Sequence, residues 1–363
     1  MDSRERVLLA LEHKEPDRVP IDYWATSEVN AMLLKRYGLS SQEELLEHFD
    51  SDFRYIDGPE YIGPELTVRD DGSKEDHYGV PRKSVSYGEG SKGGTYSEVA
   101  EYPLEKMTSV EEIKNYSKWP KADWFDYDCV CEQAKRARDT GKIVTFMGDR
   151  LNRCALLKPA MYVRGVEQIL MDLYTNKEIA KAIFDKIAEF YCEYVRRTLE
   201  AGEGNIDILF TGDDFGTQQN TFMPIELWRE LIKDGFKQFI DVGHEFGCNI
   251  AHHTCGSIIV LIPEFIDCGL DILNPLQPDV EGMDYEKIKA DYGSDISFHG
   301  AISIQKTMPY GTVEDVRNEV KDRIEKLAPG GGFILCTAHN IQIDTPVENI
   351  EALFEAYQEF GRY

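Results

Sequence analysis

His253 and Cys255, separated by Thr254, are the pair whose types and spacing carry the sharpest chemical meaning. Residues two apart in an extended chain point to the same side, so an imidazole and a thiolate here can face one metal ion. Cys336 ends a later apolar run, Gly332 to Cys336. In a closed sheet that run would look inward from the opposite wall. Two thiolates and one imidazole suit Zn²⁺ in a site that keeps an open or weakly held fourth position. Asp213 or Asp214, in the run Gly212-Asp213-Asp214-Phe215-Gly216, could fill that position. A structural reading stands beside this one, in which both cysteines are inert buried thiols and His253 is a hydrogen-bonded core histidine.

Other polar residues stand at the ends of apolar runs: Tyr23, Asp57, Asp149, Asn274, His299, His339 and Asn340. Asp213-Asp214 also reads as capping or turn chemistry. His299-Gly300 and Ala338-His339-Asn340 read either as turn formers or as groups that hydrogen-bond a ligand or orient metal ligands. The remaining cysteines, Cys129, Cys131, Cys154, Cys192, Cys248 and Cys268, lack partner spacing and read as ordinary thiols. Gly330-Gly331-Gly332 precedes a strand instead of opening a helix, which argues against a phosphate cradle.

The elements that must position these residues alternate. Strand-like runs are Arg18 to Trp24, Asp52 to Asp57, Lys142 to Met147, Ile206 to Phe210, Cys248 to His252, Leu270 to Leu273, Asp295 to His299 and Gly332 to Cys336. Between or beside them, helical periodicity covers Ser3 to Glu12, Asn176 to Glu200, Pro224 to Phe246, Val313 to Leu327 and Pro346 to Phe360, with Pro224 and Pro346 expected in first turns. Strands and helices alternating in this way imply parallel pairing with crossover helices. Eight such strands predict an α/β fold, a (β/α)8 TIM barrel spanning 1–363 as one domain, with a doubly wound sheet as the competitor. The exception is about 62–102, rich in Gly, Ser and Tyr and including Gly88, Gly90 and Gly93. It predicts an antiparallel hairpin insertion after the second strand, turning at Asp71-Gly72 between Thr67-Val68-Arg69 and His77-Tyr78-Gly79.

With 40 Lys and Arg against 66 Asp and Glu, the chain carries a formal net charge of −26. That argues against a nucleic-acid binder, which needs clustered cations to neutralise phosphates, and disfavours an anionic membrane surface. No stretch approaches the ~18 apolar residues of a membrane span, and the charged start Asp2-Ser3-Arg4-Glu5-Arg6 does not read as a signal peptide. The chain therefore reads as cytoplasmic. Eight cysteines in 363 residues are too sparse for a disulfide scaffold.

Several of these segments resemble the uroporphyrinogen decarboxylase superfamily. They are Arg4-Glu5-Arg6-Val7 with Pro16-Asp17-Arg18-Val19-Pro20, then His253-Thr254-Cys255-Gly256-Ser257, then Asp271-Ile272-Leu273-Asn274-Pro275-Leu276-Gln277, then Ala328-Pro329-Gly330-Gly331-Gly332 with Ala338-His339-Asn340-Ile341-Gln342. The resemblance implies a (β/α)8 barrel with its site at the C-terminal ends of the strands. True decarboxylases carry an arginine-rich segment near the start that grips porphyrinogen carboxylates; here stands Asp17-Arg18-Val19-Pro20-Ile21-Asp22-Tyr23-Trp24. A polyanionic tetrapyrrole without partner cations is costly to bury. The resemblance therefore points to the branch of cobalamin-dependent methyltransferases, which work with a separate corrinoid-binding protein. Its thiol-activating members hold zinc through a His-X-Cys…Cys pattern that His253, Cys255 and Cys336 match. This implies transfer of a methyl group between a corrinoid and a small thiol or an O-, N- or S-methyl substrate. Asp213, Asp214 and His339 would serve catalysis, and Tyr23, Asp57, Asn274, His299 and Asn340 would line the substrate pocket. The alternatives are a metal-free decarboxylase on the same barrel and a non-enzymatic module that binds a corrinoid or its carrier.

Overall fold

The computed structural model describes residues 1–87, 94–148 and 153–363. Seven strands form one parallel sheet: β1 (Phe53–Ile56), β2 (Ile143–Phe146), β3 (Ile208–Gly212), β4 (Asn249–His253), β5 (Ile272–Asn274), β6 (Ser297–Ile302) and β7 (Phe333–Thr337). Each pairs with the next in sequence. The strands are almost wholly buried because helices cover one face and barrel-interior side chains the other, which is why they read as continuous apolar runs.

The chain around Ile21 occupies the gap between β7 and β1. Leu335 N donates to Pro20 O at 2.9 Å, Asp22 N to Leu335 O at 3.0 Å and Asp52 N to Ile21 O at 2.9 Å. These bonds close the TIM barrel. The expected first strand, Arg18 to Trp24, is thus reduced to isolated bridges, Ile21 with Leu335 and Ala25 with Ile341. Pro20 has no N–H to give, so a regular ladder cannot form there.

Several strands run one or two residues past the expected end: β3 to Gly212, β4 to His253, β5 to Asn274 and β7 to Thr337. Apolar runs mark the buried middle of a strand, while its polar end belongs to the barrel mouth. The expected helix Pro224 to Phe246 divides into Ile225–Leu231 and Lys233–Glu245 at Ile232. Pro224 and Pro346 stand at the N-cap, just before the first turn where they were expected.

Within about 62–102, a three-stranded antiparallel sheet comprises Lys74–Glu75, Pro81–Tyr87 and Gly94–Val99. The chain reverses at Asp71-Gly72, with Gly72 at φ +81° and a bridge from Val68 to Lys74. His77-Tyr78-Gly79, expected as the second arm, is instead a turn, because the Asp76 carboxylate accepts the N–H groups of Tyr78 and Val80. Gly88, Gly90 and Gly93 lie outside the described residues.

A large apolar layer fills the space between sheet and helices. A smaller one, including Val7, Trp24, Phe53, Phe210, Ile334 and Cys336, fills the barrel. At the N-terminal end of β1, the fully buried Asp52 carboxylate accepts from Arg6 at 2.8 Å and Arg18 at 2.7 Å. No described helix is long and apolar enough to cross a membrane.

Candidate active site at the barrel mouth

His253 is the last residue of β4, and Asn274, the last of β5, is its register partner. That register brings the Asn274 Oδ1 to 2.6 Å from His253 Nδ1. Two residues on, the Cys255 Sγ lies 3.3 Å from His253 Nε2. Asp214, just beyond β3, receives the Cys255 N–H at 3.1 Å, and its Oδ1 stands 3.9 Å from His253 Nε2. One donor atom from each of Asp214, His253 and Cys255 lies within 4.8 Å of the others. That set of one carboxylate oxygen, one imidazole nitrogen and one sulfur is a donor set that suits Zn²⁺ and leaves a fourth position for substrate.

Two glycines make the approach possible. The loops after β3 and β4 cross so closely that a Cβ at Gly256 would meet the Gly216 carbonyl carbon at 2.4 Å, and one at Gly216 would meet the Cys255 oxygen at 2.7 Å. Gly256 also sits at φ +96°, where a side chain is strained.

Burial is the largest influence on each ionisable group. It holds the His253 imidazole well below its usual range, and so neutral. It pushes the Cys255 thiol up to about 12, with Asp214 adding to the rise. It also opposes ionisation of Asp214, but Lys158, whose Nζ is 2.7 Å away, and the Cys255 N–H outweigh it and hold that carboxyl below the ordinary carboxylate range. A buried thiol this reluctant to ionise needs a cation beside it to become a thiolate.

Cys336 does not join this group. Among the described residues it clusters with Asp22 and His299, deeper in the barrel. Cys336 shares the inward face of β7 with Ile334, below the strand end, so it belongs to the interior layer. His339, three residues further on, is what reaches His253 from this wall, with ring centroids 5.6 Å apart. Asp213, expected to serve catalysis, is placed as a helix cap: buried, it accepts the N–H groups of Leu156, Leu157 and Lys158 at 2.5–2.8 Å at the start of the helix Leu157–Arg164. Burial raises its carboxyl to about 6 against those donors. Tyr23 points into the helical layer, packing on Phe49 and Phe354 and donating to Asn30 Oδ1. The expectation was off by one residue: Asp22 and Trp24 are the side chains that face the interior. Asp57 is exposed after β1 and is not among the cavity-lining residues. Asn340 gives its backbone N–H to His339 Nδ1 at 2.8 Å, and its side chain is not part of the lining. His299 and Asn274 are buried beneath the mouth. Asp149 lies outside the described residues.

A cavity of about 280 Å³ opens beside Cys255 and His339, walled by Gln218, Gln277, Gln305 and Gln342 and by no described lysine or arginine.

The uroporphyrinogen decarboxylase (URO-D) family profile matches residues 91–360. The chain belongs to that family. Among curated proteins, the URO-D chain is 26% identical over 205 residues to the methylated-thiol–coenzyme M methyltransferase of Methanosarcina mazei, a match covering 55% of this chain and 50% of that one. It is 26% identical over 217 residues to the methylcobamide:CoM methyltransferase MtaA of Methanosarcina barkeri, covering 60% and 56% respectively. The chain thus spans about half the length of the curated relatives it matches. A solved methyltransferase from Methanosarcina mazei shares the fold at a TM-score of 0.66, with 18% identity and 99% of each chain covered.

Proposed function

We propose that this URO-D family member is a zinc-dependent methyltransferase of the cytoplasm. It would move a methyl group between a corrinoid carried by a separate corrinoid-binding protein and a small thiol or an O-, N- or S-methyl substrate. The observation that carries this reading is the convergence of Asp214, His253 and Cys255 beside an open cavity, in a chain whose matched relatives are named methylated-thiol–coenzyme M and methylcobamide:CoM methyltransferases. Zinc, when bound, supplies Lewis-acid stabilisation of a sulfur anion at neutral pH.

The chain's own groups do the rest. His253 and Cys255 would hold the ion, and Lys158, paired with Asp214, would keep that carboxylate ionised beside it. The glutamine-lined cavity orients a small substrate against Cys255 and His339. His339 accepts a backbone N–H at Nδ1, which leaves Nε2 to bind the substrate or exchange a proton with it. The lack of described cations in the wall fits a small substrate better than a porphyrinogen polycarboxylate.

The test combines metal analysis with demethylation of methylcobalamin in the presence of a panel of thiols. Zinc near one per chain after dialysis, with thiol-dependent demethylation, is the expected result. A metal-free protein inactive with every thiol overturns the reading.

A further inference from the structure

We infer that a buried hydrogen-bond chain, Asp22–His299–Asn274–His253, decides which ring nitrogen of His253 is free to bind a metal, making Asp22 a positioning residue of the site. This rests on the metal-binding reading above. All four residues are 3% exposed or less. His299 Nε2 is 3.1 Å from Asp22 Oδ2, Asn274 Nδ2 is 2.6 Å from His299 Nδ1, and Asn274 Oδ1 is 2.6 Å from His253 Nδ1.

The polarity of the chain follows from its Asp22 end. Both Asp22 oxygens are engaged as acceptors. Tyr55 Oη donates to Oδ2 at 2.6 Å and the Tyr23 N–H to Oδ1 at 2.7 Å, while Trp24 Nε1 donates in turn to Tyr55. With neutral imidazoles, His299 must therefore carry its proton on Nε2 and accept at Nδ1. That turns the Asn274 NH₂ toward His299 and its oxygen toward His253. His253 must then carry its proton on Nδ1, leaving the Nε2 lone pair directed at Cys255 and Asp214. Reversing any link would put a proton on the nitrogen that faces the metal. The same bookkeeping shows why the second cluster, Asp22, His299 and Cys336, is the foot of the relay and not another metal site. Both nitrogens of His299 are committed, and Asp22 Oδ2 already accepts twice.

The experiment reads tautomers and affinity separately. In the zinc-free wild-type protein, nitrogen-15 NMR of the histidine rings is expected to show His253 as Nδ1–H and His299 as Nε2–H. Asp22→Asn supplies an amide that can donate to His299 and lets the chain reverse. The variant is expected to shift His253 toward Nε2–H and weaken zinc binding by about 10–100-fold, whereas Tyr55→Phe, which removes a donor without changing polarity, shifts affinity by no more than about twofold. His253 already Nε2–H in the wild-type protein overturns the relay, whether or not the variant folds. So does an Asp22→Asn protein with the wild-type tautomer and affinity. A wild-type protein that binds no zinc but shows Nδ1–H at His253 removes the metal-binding reading and leaves the relay standing.

Discussion

Cys255 and Cys336 carry the same functional group in different surroundings. Cys255 sits at the mouth, 3.3 Å from His253 Nε2, whereas Cys336 lies in the barrel interior with Asp22 and His299. Spacing in the sequence could propose both as ligands, but only position on the strand separates them. Replacing Cys255 with Ser is therefore expected to abolish retention of zinc after dialysis, while Cys336→Ser keeps about the wild-type stoichiometry. Parallel metal analysis of the two purified variants checks this. Equal loss in both would restore Cys336 to the ligand set. The pair Asp213-Asp214 divides in the same way. One carboxylate closes a helix end and its neighbour faces the candidate metal, a division that nothing in two identical adjacent residues announces.

At the scale of elements, the site is made by strand ends and the loops just beyond them. At the crossing of Gly216 and Gly256 the two loop backbones leave no room for a Cβ. Gly256→Ala must accommodate a Cβ against backbone at positive φ, which costs about 1–3 kcal/mol. It should also displace Cys255, so both the unfolding free energy and the zinc affinity are expected to fall. Zinc affinity unchanged by Gly256→Ala would show that the crossing does not position the ligand.

A second element-scale effect lies outside the site. Glu264, on the helix Ile262–Asp267, is held by Arg229 and Lys233 from two neighbouring helices at 2.6 and 2.8 Å. The Arg229 hydrogen bond, then that of Lys233, lowers its carboxyl from 4.5 to about 2. The unfolded chain therefore takes up this proton at higher pH than the folded one. Stability from this group is complete above pH 4.5 and is lost as pH falls through about 2. Thermal unfolding followed by circular dichroism is expected to show a shallower acid decline for Glu264→Gln than for the wild type over that window. Parallel acid limbs would show that the contact contributes nothing to folding.

At the scale of the whole molecule, Asp52 ties the opening helix, the closing segment and β1 together through Arg6, Arg18 and the Ile21 N–H. Removing one partner of a buried ion pair leaves uncompensated charge, so Asp52→Ala is expected to cost about 3–5 kcal/mol in denaturant unfolding. A cost under about 1 kcal/mol would mean that the barrel closes without this knot.

The sequence by itself determined the alternation of strands and helices, the parallel barrel and the His253–Cys255 pair, because burial and local periodicity are written into neighbouring residues. It also held most of the relay: Asn274 and His299 stand at or near strand ends that the apolar runs mark. Tertiary structure alone decided that Pro20 to Asp22 closes the barrel as bridges, that Asp22 and not Tyr23 faces inward, and that Asp213 caps a helix. It alone put Cys336 beneath the mouth while His339 reached it. The physical reason is that inside a barrel the height of a side chain along the axis comes from the register of eight staves against one another. That register is fixed by contacts between residues up to about three hundred positions apart, such as Asp22 with His299 and Ile21 with Leu335.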